Sequence, residues 1–262
     1  MSLASNIVND EAVLKSLKQL MWKAGDAILD VYQSDDFNTE VKGDDSPLTK
    51  ADLAAHNVLV EGLLSMTPDI PVVSEEDADS LQIPRTHSVY WLIDPLDGTK
   101  EFIKRNSEFT CNLALIENNK ATLGFVGVPV QESLYVGGLS IASTRENKTG
   151  QALTIHWKQS SSGIIRVVAS KSHLNEETQQ FIANLAGEIE LVQAGSSLKF
   201  LKIAEGQADI YPRLAPTCEW DTAAAQAVLE GAGGSVKQAS GEPMLYGKDN
   251  ILNPHFIAKG HE

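Results

Sequence analysis

The segment VYWLIDPLDGT, residues 89–99, joins a strand-like run to a pair of acids. Its first five residues are β-branched, aromatic and aliphatic, which is typical of a buried strand. Asp94 and Asp97 follow, with a proline that restricts the backbone between them and then a glycine that permits a tight turn. Carboxylates delivered from a strand end in this way can converge on hard cations. Taken alone, the segment is equally typical of an acidic β-turn.

Thr99 is expected to open the next helix, where unpaired backbone N–H groups favour a phosphate. The spacing of the acids also distinguishes this segment from the aspartyl-phosphate phosphatases. Those enzymes use Asp-x-Asp-Gly-Thr, with the first Asp as covalent nucleophile. Here two residues separate Asp94 from Asp97, and that interval favours metal ligation over the covalent scheme.

Two more acidic positions follow similar patterns. IPVVS, residues 70–74, is a second strand-like run, and it ends in three consecutive acids at residues 75–77. Three adjacent acids repel one another unless water or cations screen them. Asp221 precedes an Ala-rich run and is expected to be the N-cap of a helix. A solvated loop and a helix cap explain these acids adequately, so a metal role depends on the fold bringing them to residues 89–99.

The first half of the chain is predicted to be α+β. Amphipathic spacing predicts helices over residues 10–32 and 50–66. Strand-like runs at residues 110–116, 121–130 and 133–136 predict an antiparallel meander. This half therefore resembles helices packed over a sheet.

The second half is predicted to be α/β. Residues 143–163 are polar and Ser-rich, which favours a domain boundary or an exposed hairpin. We place the boundary at residue 162, which gives domains 1–162 and 163–262. Strand-like and helix-like runs then alternate, as in α/β proteins. The expected strands are residues 164–170, 189–195, 208–213 and 256–257, and the expected helices are residues 176–186, 197–205 and 221–230.

Charge and composition restrict the partners. The 262 residues carry a formal net charge of −14, which argues against binding to nucleic acid or to an anionic membrane. No stretch approaches about 18 uninterrupted apolar residues, so no transmembrane segment is expected. Two distant cysteines provide neither a disulfide framework nor a zinc site and favour a reducing compartment. A small anionic substrate would then need a basic pocket or bound cations.

The motifs together strongly resemble those of the inositol monophosphatase superfamily, which comprises magnesium-dependent, lithium-sensitive phosphatases. The matching segments span nearly the whole chain. They are DSPLTKAD (45–52), SEED (74–77), DPLDGTKEF (94–102) and WDTAA (220–224). Within the superfamily, SPLTKAD and the KEF after DGT are most similar to the 3'(2'),5'-bisphosphate nucleotidases. These hydrolyse 3'-phosphoadenosine 5'-phosphate to AMP and phosphate, which clears a by-product of sulfate assimilation.

The resemblance implies a layered αβαβα sandwich of the sugar phosphatase and inositol monophosphatase type. It also implies hydrolysis by metal-activated water with two or three Mg²⁺ ions and no covalent intermediate. Asp52 and Thr99 would position and activate that water. The implied metal ligands are the side chains of Glu75, Asp94, Asp97 and Asp221 and the carbonyl of Leu96. We expect a monomeric, cytoplasmic enzyme, and weak attachment to the inner membrane face is left open.

The resemblance places the nucleotide end of the site mainly in the second half. Cationic groups there suit a second phosphate in a chain of negative net charge. Lys199 is also typical of a solvated lysine on a helix surface, and Arg213 is also typical of an ion pair at a strand end. A lone histidine such as His173 is more often structural than catalytic. The implied substrate-binding residues are Gly98, Thr99, Ser172, His173, Ser196, Lys199 and Arg213.

Three alternatives stay open from the sequence. An inositol monophosphatase or sugar bisphosphatase would have the same metal site and a different pocket. A non-catalytic nucleotide- or metal-sensing protein could use the same scaffold, although a pure binder needs no water-activating pair such as Asp52 and Thr99. A calcium-binding module is a weaker alternative, because the acids are dispersed and do not follow the EF-hand pattern.

Overall fold

The structure is a computed structural model that describes residues 2–34, 37–41, 47–83, 89–139, 141–159, 163–169 and 174–261. Within these residues there are seven α-helices and fourteen β-strands. The helices are α1 Leu3–Asn9, α2 Glu11–Tyr32, α3 Lys50–Met66, α4 Thr99–Ile103, α5 Glu176–Ala183, α6 Leu198–Ala204 and α7 Ala223–Gly231. The strands are β1 Glu40–Val41, β2 Pro47–Leu48, β3 Val72–Ser74, β4 Val89–Asp97, β5 Thr110–Glu117, β6 Lys120–Val128, β7 Ser133–Gly138, β8 Ile141–Asn147, β9 Ala152–Thr154, β10 Ile165–Ala169, β11 Ile189–Gln193, β12 Ile210–Arg213, β13 Ser235–Gln238 and β14 Phe256–Lys259.

The first half forms a seven-stranded sheet in the order β3-β4-β5-β6-β7-β8-β9. β3 is parallel to β4, and every later neighbour is antiparallel. The predicted meander is therefore confirmed. The polar segment 143–163 contributes to β8 and forms β9, which together make a hairpin at the sheet edge. Residue 162 lies outside the described residues, and the division into two domains there stays a prediction.

The second half forms a five-stranded sheet in the order β11-β10-β12-β14-β13. β10 is parallel to both β11 and β12, whereas β14 is antiparallel to β12 and β13. The alternation of strands and helices is confirmed up to α7. The patterns in the sequence did not predict β13, or α1 in the first half.

Two hydrophobic cores lie on the two faces of the seven-stranded sheet. One core joins α1, α2 and α3 to one face, through residues such as Leu17, Leu59, Trp91, Ile93 and Leu113. The other core joins the opposite face to α6, α7 and the five-stranded sheet, through residues such as Leu92, Val126, Phe200, Val228 and Phe256. With α5 against β12, the layers follow the order α-β-α-β-α. The mixed α/β sandwich predicted from the sequence is confirmed.

Local chemistry explains the helix starts of the first half. The Ser2 side chain caps α1, and Asp10 ends α1 and caps α2 by accepting from the backbone N–H groups of residues 12 and 13. Thr49 and Asp52 form a reciprocal capping box at the start of α3. These caps fix where α2 and α3 begin, close to the predicted positions.

The end of β4 and its turn place the acids of residues 89–99. The strand continues to Asp97, four residues beyond the predicted run, with an irregular register between Asp94 and Asp97. Gly98 follows with φ +94°, and a Cβ there would lie 3.1 Å from the Glu108 carbonyl oxygen. Glycine is favoured at this turn because a side chain would be strained by the left-handed backbone and crowded by the close carbonyl. α4 then begins at Thr99, as predicted.

A close approach of α7 to β6 sets the position of the second half over the sheet. A Cβ at Gly124 would overlap the carbonyl of Ala224. Glycine at this position therefore lets the start of α7 lie directly on the sheet. No helix among the described residues combines the length and apolar character needed to cross a lipid bilayer.

Candidate active site

Three carboxylates from separate elements meet at one edge of the seven-stranded sheet. Glu75 directly follows β3, and Asp94 lies in the parallel neighbour β4. Asp221 comes from the turn before α7. One side-chain oxygen from each of the three lies within 4.8 Å of the others. Asp94 is only 1% exposed, whereas the other two are partly exposed.

The electrostatics of this cluster favour a bound cation. Burial, followed by the charges of Glu75, Asp97 and Asp221, raises the pKa of Asp94 well above its usual value. Burial, followed by the charges of Asp97 and Glu75, raises the pKa of Asp221 to about 8. Carboxylates placed in this way ionise together only when positive charge offsets their repulsion. Their hard oxygen donors fit a divalent cation such as Mg²⁺.

Asp97 lies close to this cluster but is held by hydrogen bonds. Its Oδ2 accepts from Ser196 Oγ at 2.7 Å, from the Ser197 backbone N–H at 2.6 Å and from Thr110 Oγ1 at 3.4 Å. Ser196 has φ +51°, a strained conformation for a residue with a side chain. The three-carboxylate group found among the described residues does not include Asp97, so its role as a ligand stays a prediction.

Leu96 and Asp221 are each held by a backbone interaction. The Leu96 N–H donates to Asp94 Oδ1 at 3.1 Å, and the Leu96 carbonyl, 3.3 Å from Thr99 Oγ1, is an alternative acceptor for the single Thr99 hydroxyl proton. Asp221 is not the N-cap that the sequence suggested, because Thr222 occupies that position. The Asp221 Oδ2 instead accepts from the Cys218 N–H at 2.7 Å. A carboxylate one residue farther from the helix can reach the acids on β3 and β4.

The structure brings Asp52 and Thr99 together. Thr99 Oγ1 donates to Asp52 Oδ1 at 3.2 Å. The other Asp52 oxygen, Oδ2, accepts from the backbone N–H and the hydroxyl of Thr49, at 2.7 and 2.6 Å. Asp52 is 1% exposed. Its Oδ2 caps α3, and its Oδ1 faces the hydroxyl of Thr99, which follows β4.

A cavity of about 340 Å³ opens between the two sheets beside these acids. Asp97 and Asp221 line one side, and Lys199 of α6 and Arg213 of β12 also line it. The remaining lining residues that matter for recognition are Gly98, Glu101, Ser196, Tyr211, Pro216 and Thr217. A cavity with acids beside cations can hold a small anion together with a metal ion.

Lys199 and Arg213 are fixed by groups of the second half. Lys199 is 7% exposed, so it is not a helix-surface lysine, and its Nζ lies 5.6 Å from the centroid of the Tyr211 ring. Burial lowers the pKa of Lys199 to about 8. Arg213 donates from a terminal nitrogen to the Pro216 carbonyl at 2.8 Å. Both cations face the cavity that the acids face.

Some sequence predictions lie outside the described residues, and some site residues were not predicted. Ser172 and His173 lie outside the described residues, as do Asp45 and Ser46 of the first motif. Three buried polar residues beside Asp97 were missed, namely Thr110, Asn112 and Ser197. Glu101 also lines the cavity without having been predicted. Thr110 and Asn112 lie in β5, Glu101 lies in α4 and Ser197 precedes α6, and no local pattern marks these single residues.

Comparisons with known proteins agree with this geometry. The model of the inositol monophosphatase family matches residues 9–261. The 3'(2'),5'-bisphosphate nucleotidase CysQ of Salmonella typhimurium is 45% identical over 246 residues, covering 93% of this chain and 98% of that protein. CysQ of Escherichia coli K12 is 44% identical with the same coverage.

Solved structures give the same result. The crystal structure of CysQ from Bacteroides thetaiotaomicron, a bacterial member of the inositol monophosphatase family, superimposes with a TM-score of 0.85 at 38% identity. It covers 97% of this chain and 100% of that chain. An IMPase from Thermotoga maritima superimposes with a TM-score of 0.76 at 22% identity. The match covers 94% of this chain and 91% of the Thermotoga maritima chain, so the two proteins share the fold.

Proposed function

This chain belongs to the inositol monophosphatase family, and from that premise we propose that it hydrolyses 3'-phosphoadenosine 5'-phosphate to AMP and phosphate with Mg²⁺ as cofactor. The observation that carries the proposal is one cavity that is lined by acids and by the cations Lys199 and Arg213. Relatives named 3'(2'),5'-bisphosphate nucleotidase, identical at 44–45% of positions over nearly the whole chain, support the choice of substrate.

Glu75, Asp94 and Asp221 would hold the Mg²⁺, with the Asp97 carboxylate and the Leu96 carbonyl as further ligands. A cation held there supplies positive charge that offsets the charge of the phosphate and acidifies water. We propose two or three ions, which is the number that the resemblance to the family implies.

Asp52 and Thr99 would handle the proton of the attacking water. The Thr99 hydroxyl donates to Asp52, so its oxygen lone pairs stay free to accept a hydrogen bond from water. Such a bond orients the water, and a proton leaving it can pass through Thr99 Oγ1 to the Asp52 carboxylate. Thr49 keeps that carboxylate in place through Oδ2.

The second half would bind the nucleotide. Lys199 and Arg213 would contact the phosphate that is not cleaved, because hydrogen bonds between a cation and a phosphate are stronger than neutral hydrogen bonds. Ser196 Oγ would approach the reacting phosphate together with the turn at Gly98 and Thr99. The proposed roles of Ser172 and His173 concern residues outside the described part of the chain.

The proposed physiological role is to clear the adenosine bisphosphate that sulfate assimilation produces. We propose a monomer that acts in the cytoplasm. Sedimentation analysis of the purified protein tests the monomer, and fractionation of cells that express the tagged protein tests the location.

Parallel phosphate-release assays test the activity. The substrates are 3'-phosphoadenosine 5'-phosphate, inositol 1-phosphate and fructose 1,6-bisphosphate, each with Mg²⁺ and with excess EDTA. We expect Mg²⁺-dependent turnover that favours the adenosine bisphosphate. A preference for inositol 1-phosphate or fructose 1,6-bisphosphate would contradict the nucleotide pocket, and turnover that persists in EDTA would contradict the metal site.

A further inference from the structure

The turn that carries Asp221 is bound to a part of the chain near the C-terminus. Residues 217–219, which lead into the turn, lie antiparallel to residues 251–253. Two backbone hydrogen bonds of 3.0 and 2.8 Å join these segments. Their donors are the N–H groups of residues 219 and 253, and their acceptors are the carbonyls of residues 251 and 217. The backbone therefore places residue 253 directly beside the turn.

The side-chain amide of Asn253 joins the two ends of this turn. Its Nδ2 donates to the Cys218 carbonyl at 2.6 Å before Asp221 and to Thr222 Oγ1 at 3.0 Å after it. Thr217 Oγ1 lies 3.3 Å from the same nitrogen and shares its two protons. Asn253 is 8% exposed, and its Oδ1 has no hydrogen-bond partner among the described residues. The side chain therefore acts on the turn through its donors.

The neighbours of the Asn253 amide determine its orientation. A backbone carbonyl can only accept, so the amide atom 2.6 Å from the Cys218 carbonyl is the nitrogen and not the oxygen. The Thr222 hydroxyl donates its own proton to the Glu219 carbonyl at 3.2 Å and presents its lone pairs to the amide. Both contacts therefore require the donor side of the amide to face the turn.

The turn fixes the Asp221 carboxylate through the residue that Asn253 holds. The Cys218 N–H donates to Asp221 Oδ2 at 2.7 Å, while the Cys218 carbonyl accepts from Asn253. In the absence of a cation, the charges of Asp97 and Glu75 repel that of Asp221. A turn with free ends could relax and carry its carboxylate away from the other acids. Joining the two ends of the turn opposes that movement.

The chain that supplies Asn253 is itself anchored. The Glu219 carboxylate, 1% exposed, accepts from the backbone N–H groups of residues 247 and 248 at 2.8 and 3.1 Å. The Tyr246 N–H donates to the Asn119 carbonyl at 3.0 Å, and Asn119 Nδ2 donates to the Tyr246 carbonyl at 2.7 Å. Asn119 lies in the turn between β5 and β6. The support for the Asp221 turn is therefore attached to the seven-stranded sheet.

We propose that Asn253 is a positioning residue for the metal site, which closes the turn around Asp221 and keeps its carboxylate in the three-carboxylate cluster. It acts through the Cys218 carbonyl and the Thr222 hydroxyl. Groups that hold a ligand in place favour metal binding, because the ligand then needs less rearrangement. This inference rests on the proposed function, because it takes Asp221 as a metal ligand.

Calorimetric titration of the metal-free full chain with Mg²⁺, without substrate, tests this role. Asn253→Leu keeps the size of the side chain and removes both donors. We expect the Kd for Mg²⁺ to rise about tenfold, the lower end of the loss seen when an outer partner of a metal ligand is removed. The matched control is Ser143→Ala, which loses a buried hydrogen bond of 2.6 Å to the Val228 carbonyl in α7. It should leave the Kd unchanged.

Kinetics separate positioning from a general loss of structure. In Asn253→Leu, the Mg²⁺ concentration needed for half-maximal hydrolysis of 3'-phosphoadenosine 5'-phosphate should rise with the Kd. At saturating Mg²⁺ the rate should return close to that of the wild type, because Asp221 is then also held from the side of the cluster. A folded Asn253→Leu with wild-type Mg²⁺ affinity would overturn the proposal, as would an equal rise of the Kd in Ser143→Ala.

A second variant covers the case in which Asn253→Leu does not fold. Thr222→Val keeps the shape of the side chain and removes the hydroxyl that accepts from Asn253. We expect the Kd for Mg²⁺ to rise several-fold, because one end of the turn is then released. An unchanged Kd in folded Thr222→Val would equally overturn the role of Asn253.

The outcomes also distinguish this inference from the proposed function. Wild-type protein that binds Mg²⁺ but does not turn over the adenosine bisphosphate would overturn the function, and a raised Kd in Asn253→Leu would still support the role of Asn253. Wild-type protein that does not bind Mg²⁺ would overturn both.

Discussion

The acidic and the cationic sides of the cavity are built on opposite principles. On the acidic side, the groups acting on Asp94 all raise its pKa, and its nearest charges are other carboxylates. On the cationic side, Lys199 lies over an aromatic ring and Arg213 donates to a backbone carbonyl. The acids therefore oppose folding until a cation arrives. Burial also disfavours the charge of Lys199 and lowers its pKa to about 8, but the nearby carboxylates of Asp97, Glu101 and Asp221 favour that charge in the folded protein. We expect metal to control stability and activity together, and the cations to control mainly substrate affinity.

Removing a carboxylate from the acidic side should have the largest effect. In Asp94→Asn we expect kcat/KM for 3'-phosphoadenosine 5'-phosphate to fall about 10³-fold or more, since a metal ion contributes several kcal/mol to the transition state. The metal-free variant should melt at a higher temperature than the metal-free wild type at pH 8, because a buried charge has been removed. Asp69→Asn, at an exposed carboxylate, is the control and should change neither quantity. Wild-type activity in Asp94→Asn would contradict the comparison.

Removing a charge from the cationic side should mainly raise KM. For Lys199→Met we expect the KM for 3'-phosphoadenosine 5'-phosphate to rise by about 10- to 100-fold. This factor corresponds to the free energy of one hydrogen bond to a charged group. The Kd for Mg²⁺ should not rise, because the lost charge repels cations. Lys202→Met on the same helix is the matched control, since Lys202 Nζ contacts Gln207 rather than the cavity. A loss confined to kcat would contradict the assignment of Lys199 to binding.

The pH dependence of stability should distinguish the two sides further. Folding raises the pKa of Asp94 and raises that of Asp221 from 3.8 to about 8. The folded state therefore holds protons that the unfolded state releases, so metal-free stability is full below about pH 4 and declines toward about pH 8. We expect Tm in EDTA to fall by several degrees between pH 5.5 and 8, because a loss of 1 kcal/mol lowers Tm by about 2–4 °C. Mg²⁺ should remove most of this fall, and an equal fall with and without Mg²⁺ would refute the explanation.

The smallest effect should come from the other end of α7. Burial raises the pKa of Glu230 to about 7, and its carboxylate accepts from Gln226 at 2.8 Å. Glu230→Gln removes a carboxyl group with a raised pKa, and this group belongs to no metal cluster among the described residues. We expect a slightly shallower decline of Tm with pH in EDTA and an unchanged gain of Tm on adding Mg²⁺. A reduced gain would mean that the acids of the cavity are not the source of the metal effect.

Local patterns in the sequence predicted most of the fold. The spacing of apolar residues identified α2 and α3, because each helix buries one face against a sheet. The run before Asp94 identified β4, and Gly98 identified the turn after it. For the polar segment 143–163 the sequence left a domain boundary and an exposed hairpin open, and the structure has a hairpin of β8 and β9 at a partly solvated sheet edge. The sequence did not predict α1, whose first backbone N–H groups are satisfied by the distant Glu117.

Site residues that lie in recognisable sequence motifs were predicted. Site residues that are identified only by their contacts in the folded protein were not. Asp52 and Thr99 were expected together and lie 3.2 Å apart. Thr110 and Ser197 were not predicted, because their contact joins residues that are 87 positions apart and no local pattern shows it. The capping role of Asp221 was predicted wrongly, since a shift of one residue at a helix start cannot be read from composition.

The residues of the site are far apart in the chain, so the ribosome synthesises them at different times. The Ser197 N–H that binds Asp97 lies 100 residues further along, and Asp221 follows later still. At about 5–20 residues per second, a ribosome needs on the order of ten seconds to travel from Asp97 to Asp221. During that interval the nascent chain carries the acids of β3 and β4 without the third member of the cluster. The three-carboxylate site therefore first exists after residue 221 has been synthesised.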